Sequence, residues 1–256
     1  MAYAHLMNGK GLIRIFAAVC LAITLVILVP RWFEPTGLRK VASAAPGKHL
    51  TYTSHFPLTE NPVSEGANWA NGQTAALDWA NVRTVPGLAF GTETAKVTTA
   101  PGKYDDSTAL LTGDWGPDQT AEATVHSVNQ NDNVYEEVEL RLRSTLTPHR
   151  ATGYEICFRC SKTAKAYTQI VKWNGPLGDF SYVKIVQGSQ YGVANGDVVK
   201  ATIRGNAITV YVDGARVLQV NDDTFKSGNP GMGFYIEGTT GVNRDYGFTS
   251  FSATDQ

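Results

Sequence analysis

The chain has 256 residues, enough for one large β domain or two small ones. Twenty-two Lys and Arg against 23 Asp and Glu give a net charge of −1, and without a basic surplus there is no electrostatic case for a nucleic-acid partner. Three cysteines are too few for a disulfide scaffold, whereas 25 glycines beside many Thr, Val, Asn and Tyr suit a turn-rich all-β protein.

Residues 1–30 read as a basic lead, with Lys10 and Arg14, followed by a hydrophobic helix. Its apolar run, Ile15 to Val29, is 15 residues long. That is short of the ~20 that span a bilayer comfortably but suited to a signal peptide. Leu12, Ile13 and a snorkelling Arg14 lengthen it enough for a spanning helix. A small-residue cleavage pattern, Ala42-Ser43-Ala44, lies well beyond the run with Arg39 and Lys40 between, so an uncleaved signal-anchor is preferred to a cleaved leader. Either way the rest of the chain is expected outside the cytoplasm, membrane-anchored through this helix or secreted. Residues 31–48 form a linker without periodicity, and the folded domain is expected over 49–256.

That domain reads as strands in sequence. Leu50 to Phe56 alternates as the first, followed by a polar loop around Trp69. Leu77 to Phe90 supplies one or two strands broken at Pro86-Gly87. Ser107 to Thr112 and Gln119 to Val128 flank a loop holding Trp115. In Val134 to Arg143 the residues Val138, Leu140 and Leu142 alternate with Glu137, Glu139, Arg141 and Arg143, which places the two sets on opposite faces. Gly153 to Cys160, Tyr167 to Trp173 and Tyr182 to Gln187 follow. Gly196 to Val220 reads as a three-stranded meander with tight turns at Gly205-Asn206 and Asp213-Gly214. Gly231 to Glu237 and Tyr246 to Ala253 close the chain. About a dozen strands, without an internal repeat, predict an all-β fold: a jelly-roll β-sandwich of two curved antiparallel sheets. Cys157 and Cys160, three residues apart on a strand, are expected to put one thiol on each face.

The stretches HFPLTENPVSEGANW, YDDSTALLTGDWGPDQTAEATV, GYEICFRC, QIVKWNGPLGDF, GDVVKATIRGNAITVYVDG and SGNPGMGFYIEG carry a resemblance that spans nearly the whole domain. They resemble the concanavalin A-like lectin/glucanase superfamily, specifically the laminin-G-like jelly rolls of secreted bacterial proteins. The resemblance implies the sandwich. Its members include lectins, glycoside hydrolases, polysaccharide lyases and adhesion modules, so it does not fix an activity.

The E-x-D-x-x-E strand of the superfamily's retaining glucanases does not occur. Glu137 and Glu139, with Arg141 and Arg143, are the nearest candidates for a carboxylate pair, weighed against a solvated charged face with cross-strand ion pairs. Glu139-Leu140-Arg141 and Gln169-Ile170-Val171 are similar to the strand motifs of jelly-roll lyases, in which Arg and Gln hold a uronate. The His of that pattern is missing at Val171, leaving His126 on another strand as the substitute. Asp105-Asp106 and Asp222-Asp223 offer a weak case for calcium against an ordinary role in turns.

Aromatic residues in loops give the stronger lead, because sugars stack their apolar faces on rings while neighbouring polar groups take the hydroxyls. Trp115 and Trp173, with Asn174, Asp179, Tyr182 and Tyr191, form the expected ligand-binding set. The sequence therefore points to an extracytoplasmic domain that binds carbohydrate, such as a cell-surface glycan, without catalysis and without a cofactor. A lyase or glycosidase on the concave sheet, using Glu137, Glu139, Arg141 and His126, and a plain adhesion module without a glycan are the alternatives.

Overall fold

The computed structural model describes residues 49–93, 104–130, 132, 134–237 and 243–256, and the expected N-terminal helix and linker lie outside them. Among these residues, fifteen strands form two antiparallel sheets. They are β1 (Thr51–Ser54), β2 (Trp69–Asn71), β3 (Val82–Val85), β4 (Leu88–Gly91), β5 (Ser107–Leu111), β6 (Gln119–Ser127), β7 (Tyr135–Thr147) and β8 (Arg150–Arg159). The remainder are β9 (Tyr167–Gly175), β10 (Phe180–Gln187), β11 (Val198–Arg204), β12 (Ala207–Val212), β13 (Ala215–Asn221), β14 (Asn229–Glu237) and β15 (Tyr246–Asp255). One sheet has the order β13-β12-β11-β6-β15-β4-β3, with β1 also paired to β15. The other runs β10-β9-β8-β7-β14-β5-β2.

Alternation sets the layers. Along β6, Gln119, Ala121, Ala123, Val125 and Ser127 are buried while Thr120, Glu122, Thr124 and His126 look outward. From the facing sheet, Val138, Leu140 and Leu142 of β7, Ile156 and Phe158 of β8, Ile170 of β9 and Met232, Phe234 and Ile236 of β14 close the same core. The meander forms as its pattern predicts. Asp213 and Gly214, at φ +50° and +78°, make the two-residue turn between β12 and β13, a backbone that matches the twist of the strands it joins.

Two local expectations change. Trp69 stands in the short edge strand β2, its Nε1 donating to the Tyr52 hydroxyl at 2.8 Å, instead of in an open loop. In β7 the alternation breaks at a bulge after Leu142, where Arg143 takes φ +46°. Its guanidinium leaves the face of Glu139 and Arg141 and donates to the carbonyls of Pro117, Phe225 and Gly205 at 2.6, 2.9 and 2.8 Å. Arg143 thus ties loops together at one end of the sandwich and is absent from the charged face. The two cysteines among the described residues are free, Cys160 in the core between the sheets and Cys157 on the outer face, as their spacing predicts.

Candidate functional site

The outer face of the seven-stranded sheet carries the chemistry, and strand register builds it. Glu139 of β7 lies opposite Cys157 of β8, and Arg141 opposite Glu155. Cys157 in turn faces Gln169 of β9, which faces Ile185 of β10. On the other side of β7, Glu139 pairs with Gly233 and Glu137 with Tyr235 of β14. Neighbouring rows of the pleat therefore set charged, amide and aromatic side chains side by side.

At one end of this face, Leu77 and Trp79 fold over Val171 and Trp173 in a second apolar cluster, with the Trp79 and Trp173 rings 4.9 Å apart. Beyond it lies a groove of about 330 Å³. One wall is aromatic: Phe180 packs edge-on against Tyr104 at 4.9 Å and against Tyr182 at 5.5 Å, and Trp173 stands behind at 5.2 Å. Tyr135, Tyr182 and Ile185 are 41%, 55% and 45% exposed at the rim. The carboxyl groups of Asp106, Glu137, Glu139, Glu155 and Glu237 line the groove, and the amides of Gln169 and Gln187 face it without a hydrogen bond to other described residues.

This acidic floor is buried, so the solvated charged face considered from sequence does not form. Arg141 lies beneath it, with Nη2 at 2.7 Å from Glu139, 2.7 Å from Glu155 and 3.5 Å from Asp106. Gly233 leaves the space these groups fill: a Cβ there would stand 2.9 and 3.0 Å from Nη2 and Nε of Arg141 and closer still to Glu139. Glu155 also accepts from Trp173 Nε1 at 2.6 Å and from the Cys157 thiol at 3.0 Å. Glu137 accepts from the Tyr167 hydroxyl.

Three carboxyl groups share one guanidinium, and burial makes charge costly. Burial, then the charges of Glu155 and Asp106, push Glu139 well above the usual carboxylate range against the pull of Arg141. Burial and Glu155 do the same to Asp106. Glu137 is raised to about 7 by burial, which its hydrogen bond from Tyr167 only partly offsets. The Cys157 thiol is pushed far up by burial and by the carboxylates around it, so it stays protonated and unreactive. Oxygens of Asp106, Glu139 and Glu155 lie within 4.8 Å of one another, a spacing that suits a metal ion. Arg141 already supplies the positive charge at their centre. Asp222, from the second aspartate pair considered for calcium, accepts a hydrogen bond from the Tyr154 hydroxyl at 2.5 Å and pairs with Lys172 at 3.0 Å.

Of the residues singled out from sequence, the groove brings together Glu137, Glu139, Trp173 and Tyr182, with Arg141 below them. Trp173 belongs to β9 and is buried, so its ring forms a wall instead of an exposed loop platform. Trp115 is a core residue, 9% exposed, whose Nε1 donates to the Thr112 carbonyl. Asn174 and Asp179 bond each other at the hairpin between β9 and β10, and Tyr191 sits in a one-turn 3₁₀ helix with its carbonyl taken by Thr168. None of these last three lines the groove. His126 is on the outer face of the opposite sheet and cannot meet Glu137 or Glu139. Sequence reasoning passed over Glu155 and Tyr167, and weighed Asp106 only as a calcium ligand or turn residue. For Glu155 the signal was present: in Tyr154 to Arg159 the apolar Tyr154, Ile156 and Phe158 alternate with Glu155, Cys157 and Arg159, the same pattern as β7.

No protein-family model matches the sequence, and no curated protein is detectably similar to it. Solved structures do share the fold. The exoplasmic/lumenal domain of VIP36, in a form described as calcium- and mannose-bound, aligns with a TM-score of 0.52 at 10% identity over 78% of this chain and 88% of that one. A structure reported for endo-acting O-glycanases of the human gut microbiota aligns at 0.50 and 11% identity over 80% and 98%. The carbohydrate-binding module CBM66 from Bacillus subtilis aligns at 0.47 and 16% identity over 76% and 96%. At such identities the likeness concerns the fold alone, a sandwich of two antiparallel sheets.

Proposed function

We propose that the domain binds saccharides in the groove on the outer face of the seven-stranded sheet. One observation carries this reading: a wall of aromatic rings, with Tyr182 and Tyr135 open to solvent, stands over a floor of carboxyl and amide groups. Pyranose rings present apolar C–H faces and a rim of hydroxyls, and such a surface satisfies both at once. The free amides of Gln169 and Gln187 offer donors and acceptors that the fold itself does not use. This places the ligand on the sheet, a different location from the end loops favoured on sequence alone. The VIP36 and O-glycanase structures make a glycan reasonable for this fold without identifying one.

Binding without turnover fits the electrostatics better than hydrolysis. A retaining glycosidase needs one carboxylate free as nucleophile and a protonated partner. Here Glu139 is held by Arg141 at 2.7 Å, and Glu137 and Glu139 are both raised in pKa instead of being driven apart. The observation on the side of hydrolysis is that oxygens of Glu137 and Glu139 approach within 4.8 Å. A lyase reading loses its uronate clamp, because Arg141 is buried, already paired with Glu139 and Glu155, and does not line the groove.

The test is a glycan array on the full-length protein, with reducing-end and unsaturated-uronate assays on every glycan retained. Retention without new chain ends supports binding alone. Release of reducing ends that stops in Glu137→Gln would establish the hydrolase, and an empty array would remove the reading. The same proposal places the domain outside the cytoplasm, on the strength of the Ile15 to Val29 run. Mass spectrometry of the mature N-terminus distinguishes an anchor from a leader: a chain beginning at Ala45 would rule out the anchor.

A further inference from the structure

The groove's lining is one-sided in charge. Five carboxyl groups face it, and no Lys, Arg or His side chain does among the described residues. The two nearest guanidiniums are committed elsewhere: Arg141 to the carboxylates below, and Arg159 to the Val134 carbonyl and to the face of the Tyr135 ring, 3.9 Å from its centroid. Aromatic rings make up most of the remaining lining, and ring faces also attract cations.

Building on the saccharide-binding reading, we infer that this groove selects its ligand by charge, preferring amino sugars that carry a free ammonium group to neutral sugars, and excluding uronates and sulfated glycans. The physical reason is mutual repulsion. Asp106, Glu137, Glu139, Glu155 and Glu237 converge on one half-enclosed space, where water screens them incompletely. An added anion meets these groups with no Lys, Arg or His side chain in the lining to pair with it, since Arg141 lies beneath the floor and is already engaged. An added ammonium relieves the repulsion, and three N–H donors can reach carboxylates supplied by three different strands, β7, β8 and β14, and by the segment entering β5. Asp106, Glu137 and Glu139 all hold their protons above the usual carboxylate range, chiefly because of burial and, for Asp106 and Glu139, next because of the neighbouring carboxylates. A ligand ammonium would replace those protons. Selection of this kind is distinct from the sugar stacking on Tyr182, which does not depend on charge.

The experiment compares three matched oligosaccharides by calorimetric titration of the full-length protein at low salt and at a series of pH values from about 6 to about 8, across which Glu137 ionises and the sugar amine goes from charged to neutral. They are β-1,4-linked oligomers of glucosamine, of N-acetylglucosamine and of glucuronate, of equal length. The expected order is glucosamine tightest, with an advantage on the order of tenfold or more over the N-acetylated oligomer, and no detectable binding of the glucuronate. That advantage should shrink as salt is added. It should also shrink in Glu237→Gln, whose partly exposed side chain makes it the safer variant, and in Glu137→Gln, the effect being read in each as the ratio of affinities for the charged and the neutral oligomer. Equal affinity for the charged and neutral oligomers, or any preference for glucuronate, would overturn the charge selection and leave the saccharide reading in place. Failure of all three to bind, when the array also retains nothing, would overturn both.

Discussion

Arg141 and Glu155 are direct cross-strand partners of β7 and β8, and their side chains meet at 2.7 Å on the outer face of the sheet. That pair organises the floor of the groove, because Glu139 and Asp106 gather around the same guanidinium. Removing the arginine should therefore do more than delete one contact. Arg141→Met leaves three buried carboxyl groups without a counter-charge, and the loss of stability is expected to be about 3–5 kcal/mol. Since protonation substitutes for the missing cation, the deficit should be smaller at pH 5 than at pH 8. Chemical denaturation at the two pH values measures it.

Gly233 makes room for this arrangement. With its missing side chain replaced by a methyl group, Gly233→Ala presses on Glu139 and Arg141 together. A cost of about 1–3 kcal/mol is expected, as for overpacking elsewhere in protein interiors. Ligand affinity should fall as well, because the displaced groups belong to the groove floor. Thermal melts together with titration of any glycan found by the array check both effects. Unchanged stability and affinity would mean that the floor is looser than the contacts imply.

The pH dependence of stability follows from Glu137. An ordinary glutamate titrates near 4.5, and in the fold this one titrates at about 7. Between those values the unfolded chain has released a proton that the folded chain still holds, so stability falls as pH rises. Below 4.5 both states are protonated and the penalty vanishes; above about 7 it is constant. Glu137→Gln keeps an acceptor for Tyr167 and carries no charge. It should leave the melting temperature at pH 4.5 nearly unchanged and raise it at pH 8, by up to about 3 kcal/mol in stability. A lower melting temperature at pH 8 would contradict the burial of this carboxyl group.

Trp115 separates scaffold from site. Its ring is part of the core between the sheets, and Trp115→Ala should cost about 3–5 kcal/mol in stability. Protein that remains folded should bind a glycan with unchanged affinity. A large loss of affinity with little loss of stability would return Trp115 to the ligand-binding set.

Much of this architecture is legible in the sequence, and the reason is local. Period-two alternation and glycine turns specify β6, the meander of β11 to β13 and the split character of β7 without reference to distant residues. Burial of a polar face is not a local property. Whether Glu137 and Glu139 meet water depends on Tyr167 two strands away, on Asp106 ahead of β5 and on Trp79 folding over the sheet. The bulge at Arg143 was hidden for the same kind of reason: its guanidinium is drawn off by carbonyls of three separate loops. Conversely, Trp115 sits among turn-forming residues that look like an exposed loop, yet its hydrophobic ring finds the core.

The central claim is that a saccharide occupies the sheet groove and not the loops at the ends of the strands. Tyr182 decides between them most directly, since its exposed ring can be removed from β10 with little effect on folding. The measurement is the dissociation constant of the best array ligand for the unmodified chain, for Tyr182→Ala, and for a double variant at the hairpin, Asn174→Ala with Asp179→Ala. A groove site predicts on the order of tenfold weaker binding for Tyr182→Ala and no change for the hairpin variant. Unchanged binding in Tyr182→Ala with loss in the hairpin variant would place the ligand at the loops and contradict the account.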